Sequence, residues 1–500
     1  MAYLRATEGT DGRRAYAVCS PVDGSALPSF DVANAQDVAD AIGRAREAQR
    51  QWGATPVKER AALMQRLLDT LLERKDEVMA RLTAETGRPA MDTLLIEIFA
   101  SCDVINYYGR RASRILADRK VGMHLLRMKK AKVVYKPLGV VAVISPWNGP
   151  LILSLNPTVM AVLAGNAVVL KPSEVTPEAG RIVAELFAAA GFPKDLVQTV
   201  LGDGETGAAL VNGGVDKVTF TGSVATGRKI GEACGRNLIP CTLELGGKDP
   251  MIVLEDADMV RAAGGAVFGG MMNTGQFCMG IERVYVLRPV ADEFIAKVVA
   301  RVSELEYGRD YGPFIFDKQC ATVERQVDDA VRAGATVLVG GKRDGDTYLP
   351  TVITGVNHSM DLMSQETFGP VLPIVVVDSV DEAVRLANDS QYGLCASVWT
   401  QDTERGERIG RLIQAGSVMI NETSMIYGAL ELPFGGVKAS GLGQTHGEDG
   451  LRAYCHAFPI LTDRFGLREE SVWYPYTEEK TNSMMKALKV IWGSPLRRLM

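Results

Sequence analysis

The chain has 500 residues, 47% of them hydrophobic and 23% charged, which is an ordinary globular composition with room for two or three domains. Its 55 Lys and Arg stand against 60 Asp and Glu, and a net charge of −5 argues against nucleic acid as a partner. The eight cysteines form no Cys-x-x-Cys pair and there are only four histidines, so no metal site is expected.

The same features indicate the compartment. Scattered thiols in a long chain are typical of a reducing, cytoplasmic setting. The N-terminus lacks the apolar core of a signal peptide, and no run of eighteen apolar residues occurs. We therefore expect a soluble cytoplasmic protein.

The first elements along the chain are helices. Apolar residues spaced by three and four predict one helix over 34–52, with Asn34 as its N-cap, and another over 57–86 that ends at Gly87.

Short apolar strands and helices alternate from about residue 133. Thr176 and Pro177 fit the N-cap and first position of the helix that runs to Gly191. The predicted strands of this stretch are 138–144, 167–170, 197–200 and 218–221, with a further helix at 156–164.

The alternation resumes after Cys278. Strands are predicted at 284–287, 337–339, 371–377, 396–399 and 418–421, and helices near 291–303, 318–333, 380–388 and 403–414. The pattern predicts an α/β fold with parallel sheets in two lobes, with a border between Glu244 and Cys278.

The end of the chain differs in composition. Residues 480–500 hold three lysines and two arginines, no acidic residue, and interleaved Met, Leu, Ile and Trp. This basic amphipathic segment has three interpretations: a helix packed on the body or on a partner subunit, a segment that docks on a membrane surface, or a disordered tail.

Cys278 is the one cysteine in a setting of glycine and amide side chains, Asn273-Thr274-Gly275-Gln276-Phe277-Cys278. Thirty-four positions earlier, Glu244 opens a glycine-rich turn. A nucleophilic thiol and a carboxylate base are what a two-step acyl chemistry requires.

Two fragments after predicted strands favour a nucleotide. Lys171 and Glu174 could hold the hydroxyls of an adenosine ribose at the carboxyl end of a parallel strand. Glycines at 222 and 227, around Ser223, would let the backbone approach a pyrophosphate at a helix N-terminus. A solvated loop and a simple tight turn are the alternatives.

Two more fragments supply further polar groups. Asn148, beside Trp147 and past the first strand, could donate a hydrogen bond to a developing oxyanion. Glu366 and Phe368 could hold a nicotinamide ribose and ring, although such a pentapeptide is more commonly a surface turn.

Taken together and in this order, the fragments closely resemble the NAD(P)-dependent aldehyde dehydrogenase superfamily over about residues 17–460. The resemblance implies that Cys278 is the nucleophile, Glu244 the general base and Asn148 the oxyanion donor. A late glycine-rich signature at 433–441, with Asn421 before it, also matches. The implied cofactor-binding residues are Trp147, Lys171, Glu174, Gly222, Ser223, Gly227, Leu245, Glu366 and Phe368.

The family fold implies the domains. These are a Rossmann-like cofactor-binding domain of 1–115 and 138–245, and a catalytic domain of 246–445. An oligomerisation hairpin and strand would be 116–137 and 446–460, followed by a C-terminal extension, 461–500. The resemblance further implies a homodimer or homotetramer, with NAD as cofactor, because Glu174 would repel a 2′-phosphate, and NADP as the alternative.

The implied reaction oxidises an aldehyde to a carboxylic acid through a thioester on Cys278, which water activated by Glu244 then hydrolyses. We expect apolar aldehydes, of medium or long chain or aromatic, because Phe277, Met279, Met425 and Phe434 would give an uncharged, adaptable pocket. The alternatives are a CoA-acylating enzyme, a semialdehyde dehydrogenase and a non-catalytic binding protein of the same fold.

The sequence departs from the family pattern at a pair of positions often regarded as a proton relay. A lysine and a glutamate of many members are Pro157 and Thr445 here, next to Gln444. Asn156-Pro157 and His446-Gly447 are similar to the fatty-aldehyde and class 3 branch. His446 could contact substrate or cofactor, or it could be a structural histidine.

Overall fold

The computed structural model describes residues 4–9, 12–493 and 495. They form two compact units. The first consists of the chain up to Ile115 together with Pro137–Tyr454, and the second of Leu116–Lys136 with the chain from Cys455 on.

The first unit begins with an antiparallel sheet and a group of helices that the sequence patterns predict only in part. Asn34 caps its helix as expected, because its side chain accepts from Gln36 N and Asp37 N. The predicted helix over 57–86 is two helices, broken at Arg74. The strands are Leu4–Glu8, Arg14–Cys19 and Ala26–Asp31; the helices are Ala35–Ala54, Val57–Glu73, Lys75–Thr86, Ala90–Asp92 and Ala100–Ile115, with a π-helix at Thr93–Phe99.

A six-stranded sheet follows. Its order is Gly441–Leu442, Cys241–Glu244, Lys217–Thr221, Val140–Ile144, Ala167–Lys171 and Val197–Thr199, and only the first strand is antiparallel. From Val140–Ile144 the chain first adds strands on one side of the sheet and then on the other side, beginning with Lys217–Thr221. The loops that follow these two neighbouring strands therefore flank a crevice at a topological switch point. The helices between these strands are Pro150–Leu163, Glu178–Ala189, Gly204–Asn212 and Val224–Asn237.

One predicted cap in this sheet region is wrong. The helix begins at Glu178, so Pro177 occupies the N-cap position, and the buried Thr176 hydroxyl has no hydrogen-bond partner among the described residues. Proline supplies the helical φ at this turn without a side-chain cap.

The second sheet has seven strands. Their order is Thr336–Val339, Thr351–Thr354, Val371–Val377, Ile281–Leu287, Asp249–Val253, Cys395–Trp399 and Ser417–Ile420, parallel except for the first. The chain changes sheets between Glu244 and Asp249, within the predicted interval. The helices are Met259–Met271, Ala291–Ser303, Asp317–Arg332, Asp361–Ser364, Val380–Asn388, Thr403–Gly410 and Gly447–Arg452, and Arg343–Asp344 pairs with Thr347–Tyr348.

The second unit carries a three-stranded sheet in the order Cys455–Asp463, Lys129–Pro137, Arg119–Val121. Its late strand starts later than the predicted 446–460, because residues up to Arg452 form a helix of the first unit. Lys129 forms ion pairs with Asp463 and Glu470.

The helix Glu478–Trp492 is also part of the second unit, and none of its residues is buried. Positions 494 and 496–500 of the predicted basic segment lie outside the described residues. Within the described chain, no helix is long and apolar enough to cross a membrane.

Candidate active site

Cys278 and Glu244, far apart in sequence, line one cavity in the first unit. Their strands and loops come from different sheets: Glu244 ends a strand of the six-stranded sheet, and Cys278 precedes Ile281–Leu287 of the seven-stranded sheet. The remaining lining residues are Leu153, Asn156, Pro157, Thr219, Thr221, Thr242, Leu245, Leu394, Tyr427, Phe434 and Thr445.

Glu244 is held between two neighbouring strands. Its strand pairs in parallel with Lys217–Thr221, which places Thr221 opposite Glu244, and in antiparallel fashion with Gly441 on the other side. Both carboxylate oxygens are buried and have no hydrogen-bond partner among the described residues. Burial therefore raises the pKa of this carboxyl well above its ordinary value.

The segment before Cys278 has an unusual backbone. Asn273, Thr274 and Gly275 all have positive φ, of 54°, 55° and 68°. A Cβ on Gly275 would stand 2.1 Å from the carbonyl carbon of Gly369, so only glycine fits this approach. Burial raises the pKa of the Cys278 thiol, and the charges of Asp249, Glu366 and Glu244 raise it further.

Asn148 lies beside this segment. Its side-chain Nδ2 donates to Gln276 O at 3.2 Å. Its backbone carbonyl accepts from Asn273 Nδ2 at 3.0 Å and from Arg88 Nη2 at 2.5 Å. An amide nitrogen has two hydrogens, so this bond uses one of them, and Asn148 is not among the residues that line the cavity.

Arg88 contacts the backbone of Asn148 and forms an ion pair with Glu97, and the sequence interpretation missed both residues. Their side chains form an ion pair of 2.7 Å at 1% and 0% exposure. Arg88 Nε also donates to Asn273 Oδ1, and Glu97 Oε2 accepts from Leu151 N and Ile152 N at the start of the helix that follows Asn148. The two residues belong to no motif, so the sequence offered no local signal for them.

The crevice at the switch point contains the glycine-rich fragment. Ser223 is the N-cap of Val224–Asn237, with its hydroxyl accepting from Thr226 N, so free N–H groups of a fourteen-residue helix face the loop. A Cβ on Gly227 would meet the Leu245 side chain at 2.4 Å, and Gly222 N donates to Glu244 O. The fragment therefore joins the crevice to the strand of Glu244.

Lys171 is the last residue of the strand Ala167–Lys171, and Glu174 lies in the loop that follows this strand. The Lys171 ammonium is buried, donates to Pro172 O at 2.7 Å and stands 3.6 Å from the half-buried Glu174 carboxylate. Burial lowers the pKa of Lys171, and the charge of Glu174 opposes this effect. A cation and an anion at the carboxyl ends of parallel strands, beside a helix N-terminus, fit the ribose and pyrophosphate of a dinucleotide.

Glu366 and Phe368 are fixed by a second buried carboxylate, Glu282. Its oxygens accept from Thr367 N at 2.7 Å, Phe368 N at 2.8 Å and Lys248 Nζ at 2.6 Å. Phe368 has a φ of 51°, and its ring lies 5.4 Å from that of Trp147 in an edge-to-face arrangement.

The Glu366 carboxylate itself accepts from Gly247 N at 2.9 Å. Burial, followed by the charge of Glu282, raises the pKa of Glu366 to about 8. Glu366 thus lies against the same glycine turn that follows Glu244.

The model of the Aldehyde dehydrogenase family matches residues 7–458 of this sequence. The chain belongs to the aldehyde dehydrogenase family. The expected α/β fold is confirmed, and the aldehyde dehydrogenase is an NAD(P)-dependent oxidoreductase, as expected.

Its relatives carry several activities. A putative succinate-semialdehyde dehydrogenase [NADP(+)] of Mycolicibacterium smegmatis is 42% identical over 92% of this chain and 91% of its own. A 4,4'-diapolycopene aldehyde oxidase of Methylomonas is 39% identical over 95% and 91%. None of the relatives named here tests the similarity to the class 3 branch, which stays a prediction.

Solved structures agree in fold. The putative aldehyde dehydrogenase PutA of Anabaena variabilis superposes with a TM-score of 0.88 at 34% identity, covering 92% of this chain and all of that one. A Mycobacterium tuberculosis aldehyde dehydrogenase complexed with NAD+ gives 0.86 at 35% identity, covering 91% and 96%.

Of the four expected pocket residues, the aldehyde dehydrogenase places one on the cavity wall. Phe434 lines it and also belongs to an apolar cluster with Met279, Leu394, Cys395 and Met419, against which the partly buried Phe277 packs. Met279 is 2% exposed inside that cluster rather than on the cavity, and Met425 exposes half of its surface. Their apolar character alone could not distinguish residues that pack in the core from residues that line the cavity.

His446 lies behind the cavity wall. It is fully buried, its Nε2 is 2.8 Å from Asn156 Nδ2, and its ring is 4.5 Å from that of Tyr427. Burial lowers its pKa to about 3, so it is neutral. The structural interpretation accounts for these contacts, although Nδ1 has no hydrogen-bond partner among the described residues.

The two residues that depart from the family pattern, Pro157 and Thr445, also line the cavity. Pro157 stands inside Pro150–Leu163, and Thr445 forms an antiparallel bridge with Phe434. Among the described lining residues, Glu244 is the only acid and there is no lysine, arginine or histidine. The described residues also form no cluster of possible metal ligands.

Proposed function

We propose that this aldehyde dehydrogenase oxidises an apolar aldehyde to the carboxylic acid through a thioester on Cys278, with Glu244 activating the hydrolytic water. The observation that carries the proposal is the shared cavity, in which a thiol and an unpartnered carboxyl face an otherwise uncharged wall. Such a wall favours an apolar chain over an anionic one, because a buried carboxylate without a cation costs several kcal/mol.

The first half of the reaction uses the Cys278 segment. Cys278 Sγ, once deprotonated, adds to the aldehyde carbon. The free Nδ2–H of Asn148 and the Cys278 backbone N–H stabilise the oxyanion, and such a donor contributes about 3–4 kcal/mol. A bound nicotinamide would supply the hydride acceptor, which would leave the acyl group on Cys278 as a thioester.

Hydrolysis uses Glu244. Its carboxylate takes a proton from water that attacks the thioester carbon, and the Cys278 thiolate leaves. In place of a lysine and glutamate relay, the threonine hydroxyls that line the cavity offer a proton route from Glu244 through water. Their position follows from the strand register, which sets Thr219 opposite Thr242.

The cofactor and its residues belong to the same proposal. Lys171 and Glu174 would hold the adenosine ribose, Ser223 and the glycines at 222 and 227 the pyrophosphate, and Trp147, Glu366 and Phe368 the nicotinamide end, with Leu245 packing beneath. We propose a preference for NAD, since the Glu174 carboxylate would oppose a 2′-phosphate.

Succinate semialdehyde is the second candidate, favoured by the printed name of the 42% identical relative, which also specifies NADP(+). It carries a carboxylate, for which the described lining residues provide no cation. A CoA-acylating reaction is disfavoured by the carboxyl of Glu244 at the thiol, since water is then the expected acceptor.

We also propose the domain partition implied by the family and a homodimer or homotetramer. We further propose a cytoplasmic location, with contact between the C-terminal tail and a membrane. The second unit with its edge strand supports the domain partition and the oligomer, and the exposed helix Glu478–Trp492 supports the membrane contact.

The testing experiment is a steady-state screen of hexanal, decanal, benzaldehyde and succinate semialdehyde with NAD and with NADP, with and without CoA. We expect the highest kcat/KM for the apolar aldehydes with NAD and no dependence on CoA. The Cys278→Ala variant should bind the cofactor but form no NADH. A dominant activity on succinate semialdehyde would overturn the apolar substrate, and unchanged Cys278→Ala turnover would overturn the chemistry.

A further inference from the structure

Asn156 brings an amide group to the wall of the active-site cavity. It belongs to the helix Pro150–Leu163, lines the cavity and is 1% exposed. Its Nδ2 donates to Tyr427 Oη at 3.1 Å and lies 2.8 Å from Nε2 of the neutral His446. Since that ring nitrogen can accept, both hydrogens of the amide have an acceptor within the protein.

The oxygen of the same amide has no such partner. Asn156 Oδ1 is buried and makes no hydrogen bond among the described residues. A buried carbonyl oxygen without a donor is costly, and most such atoms in folded proteins are paired. Because Asn156 lines the cavity, a molecule bound there can supply the missing donor.

Tyr427 adds a hydroxyl group beside this amide. Its side chain also lines the cavity, and it packs against the same apolar cluster as Cys278. A tyrosine hydroxyl that accepts from one neighbour can still donate its own hydrogen. Asn156 and Tyr427 therefore offer an acceptor and a donor on one part of the wall. A hydroxyl group both donates and accepts, so it satisfies the two together.

The helix sets the distance between this polar pair and the reacting thiol. The chain just before the helix contacts the segment of the nucleophile, because Asn148 Nδ2 donates to Gln276 O. Asn156 lies six residues after Pro150, the first residue of the helix, which is about 9 Å along its axis. Leu153 lines the cavity between the two ends. A hydroxyl held by Asn156 is therefore separated from the reacting carbonyl by an apolar chain or ring.

We propose that the cavity binds an aldehyde whose apolar chain or ring carries an uncharged hydroxyl group remote from the carbonyl, with Asn156 Oδ1 as its acceptor and Tyr427 Oη as its donor. The inference rests on the proposed function and narrows its substrate class from apolar aldehydes to hydroxylated ones. A carboxylate at the same place has no hydrogen for Asn156 Oδ1, so an anionic end is disfavoured.

The test compares pairs of aldehydes of nearly equal shape, in which a hydroxyl group replaces a methyl group. The pairs are para-(hydroxymethyl)benzaldehyde with para-ethylbenzaldehyde, and ω-hydroxyoctanal with nonanal. We expect kcat/KM to be higher for the hydroxylated member by about tenfold or more in at least one pair, because the methyl member leaves Asn156 Oδ1 without a donor.

Three variants locate the source of this ratio. Asn156→Leu removes the acceptor at similar volume and should bring the ratio to one or below. Tyr427→Phe removes only a hydroxyl group and should lower the ratio in the same direction. Leu153→Met, a change of similar volume on the same wall, is the matched control and should keep the ratio of the unmodified protein.

Binding to Cys278→Ala separates this proposal from the proposed chemistry, because binding needs no turnover. Isothermal titration of Cys278→Ala should give tighter binding of the same hydroxylated aldehyde, whereas unchanged turnover in this variant would contradict only the role of Cys278. The proposal is overturned if hydroxylated members gain nothing over their partners in the unmodified protein. It is also overturned if Asn156→Leu lowers kcat for every aldehyde alike and leaves the ratios unchanged, since the side chain would then serve packing or hydrolysis.

Discussion

Cys278 and Glu244 are both groups that must lose a proton to act, and both lie where burial disfavours their charged forms. Neither carboxylate oxygen of Glu244 has a donor among the described residues that would offset this cost. A neutral acid next to a neutral thiol is stable in an apolar cavity, and the charged forms arise only as the reaction proceeds. The structure thus ties the chemistry of the site to pH.

The pH dependence of turnover follows from this. Because burial raises the pKa of Glu244, its base form appears only above the usual range of a glutamate, so kcat limited by hydrolysis should still be rising with pH above that range. In Glu244→Gln the rise should disappear and kcat should fall by about 10²–10⁴. Steady-state profiles from about pH 5 to about pH 10 measure both effects.

A rapid-mixing experiment separates the two half-reactions. Glu244→Gln should retain a burst of one NADH per site, since thioester formation does not need water activation. A kcat that is already level from about pH 5 in the unmodified enzyme would contradict the raised pKa.

At the scale of elements, the ion pair between Arg88 and Glu97 joins the helices around 75–99 to the start of Pro150–Leu163. We expect Arg88→Met to lower the free energy of unfolding by about 3–5 kcal/mol, because it leaves the Glu97 carboxylate buried and unpaired. It should also lower kcat, since Asn148 O loses one of its two donors. Urea unfolding and steady-state kinetics measure the two effects.

Arg50→Met is the matched control. Arg50 pairs with Glu47 at 2.8 Å, but both side chains are about two-thirds exposed, so the cost should stay below about 1 kcal/mol. Equal effects of the two substitutions would show that Arg88 acts as an ordinary surface arginine.

The strands were predictable and this ion pair was not, for a physical reason. Val371–Val377 and Ala291–Ser303 have the predicted bounds, because burial on both faces of a parallel strand, or on one face of a helix, leaves a local pattern. Arg88 contacts Asn148 and Asn273, and Glu97 contacts the start of Pro150–Leu163, and no local pattern reports contacts so distant in sequence. Cys278 and Glu244 were identified through their motifs, while their common cavity required the fold.

The helix Glu478–Trp492 carries a second prediction at this scale. At 100° per residue, Met484, Met485, Leu488 and Trp492 share one face, and each of these side chains is about half exposed. Lys480 and Lys489 flank this face and Lys486 lies on the opposite side, so an anionic lipid surface complements the helix better than a second, equally basic copy. We expect co-sedimentation with phosphatidylserine vesicles at low salt and loss of binding at high salt.

Two variants of equal charge distinguish insertion of the apolar face into the lipid from purely electrostatic attraction to its surface. Leu488→Glu lies on the apolar face and should weaken vesicle binding by about tenfold or more. Val490→Glu, at similar exposure but 200° away around the helix, should reduce binding much less. Equal losses would indicate charge alone, and no binding by the unmodified protein would exclude the membrane surface.

At the scale of the whole molecule, the second unit offers an edge that the rest of the described chain does not use. Cys455–Asp463 is the outer strand of its sheet, nine residues long, and no other described strand pairs with its outer edge. A long edge strand exposes unpaired N–H and C=O groups, which favour pairing with another chain. The proposed homo-oligomer would use this edge.

We therefore expect sedimentation equilibrium to give two or four times the 54.0 kDa of one chain, and Leu461→Lys, at a position 57% exposed on the edge strand, to shift the mass toward smaller species. A lysine on an edge opposes pairing because its charge would have to be buried against the partner strand. Leu412→Lys, 59% exposed in the first unit, removes a similar apolar side chain and should leave the mass unchanged. If both variants keep the mass of the unmodified protein, the subunits associate through another surface.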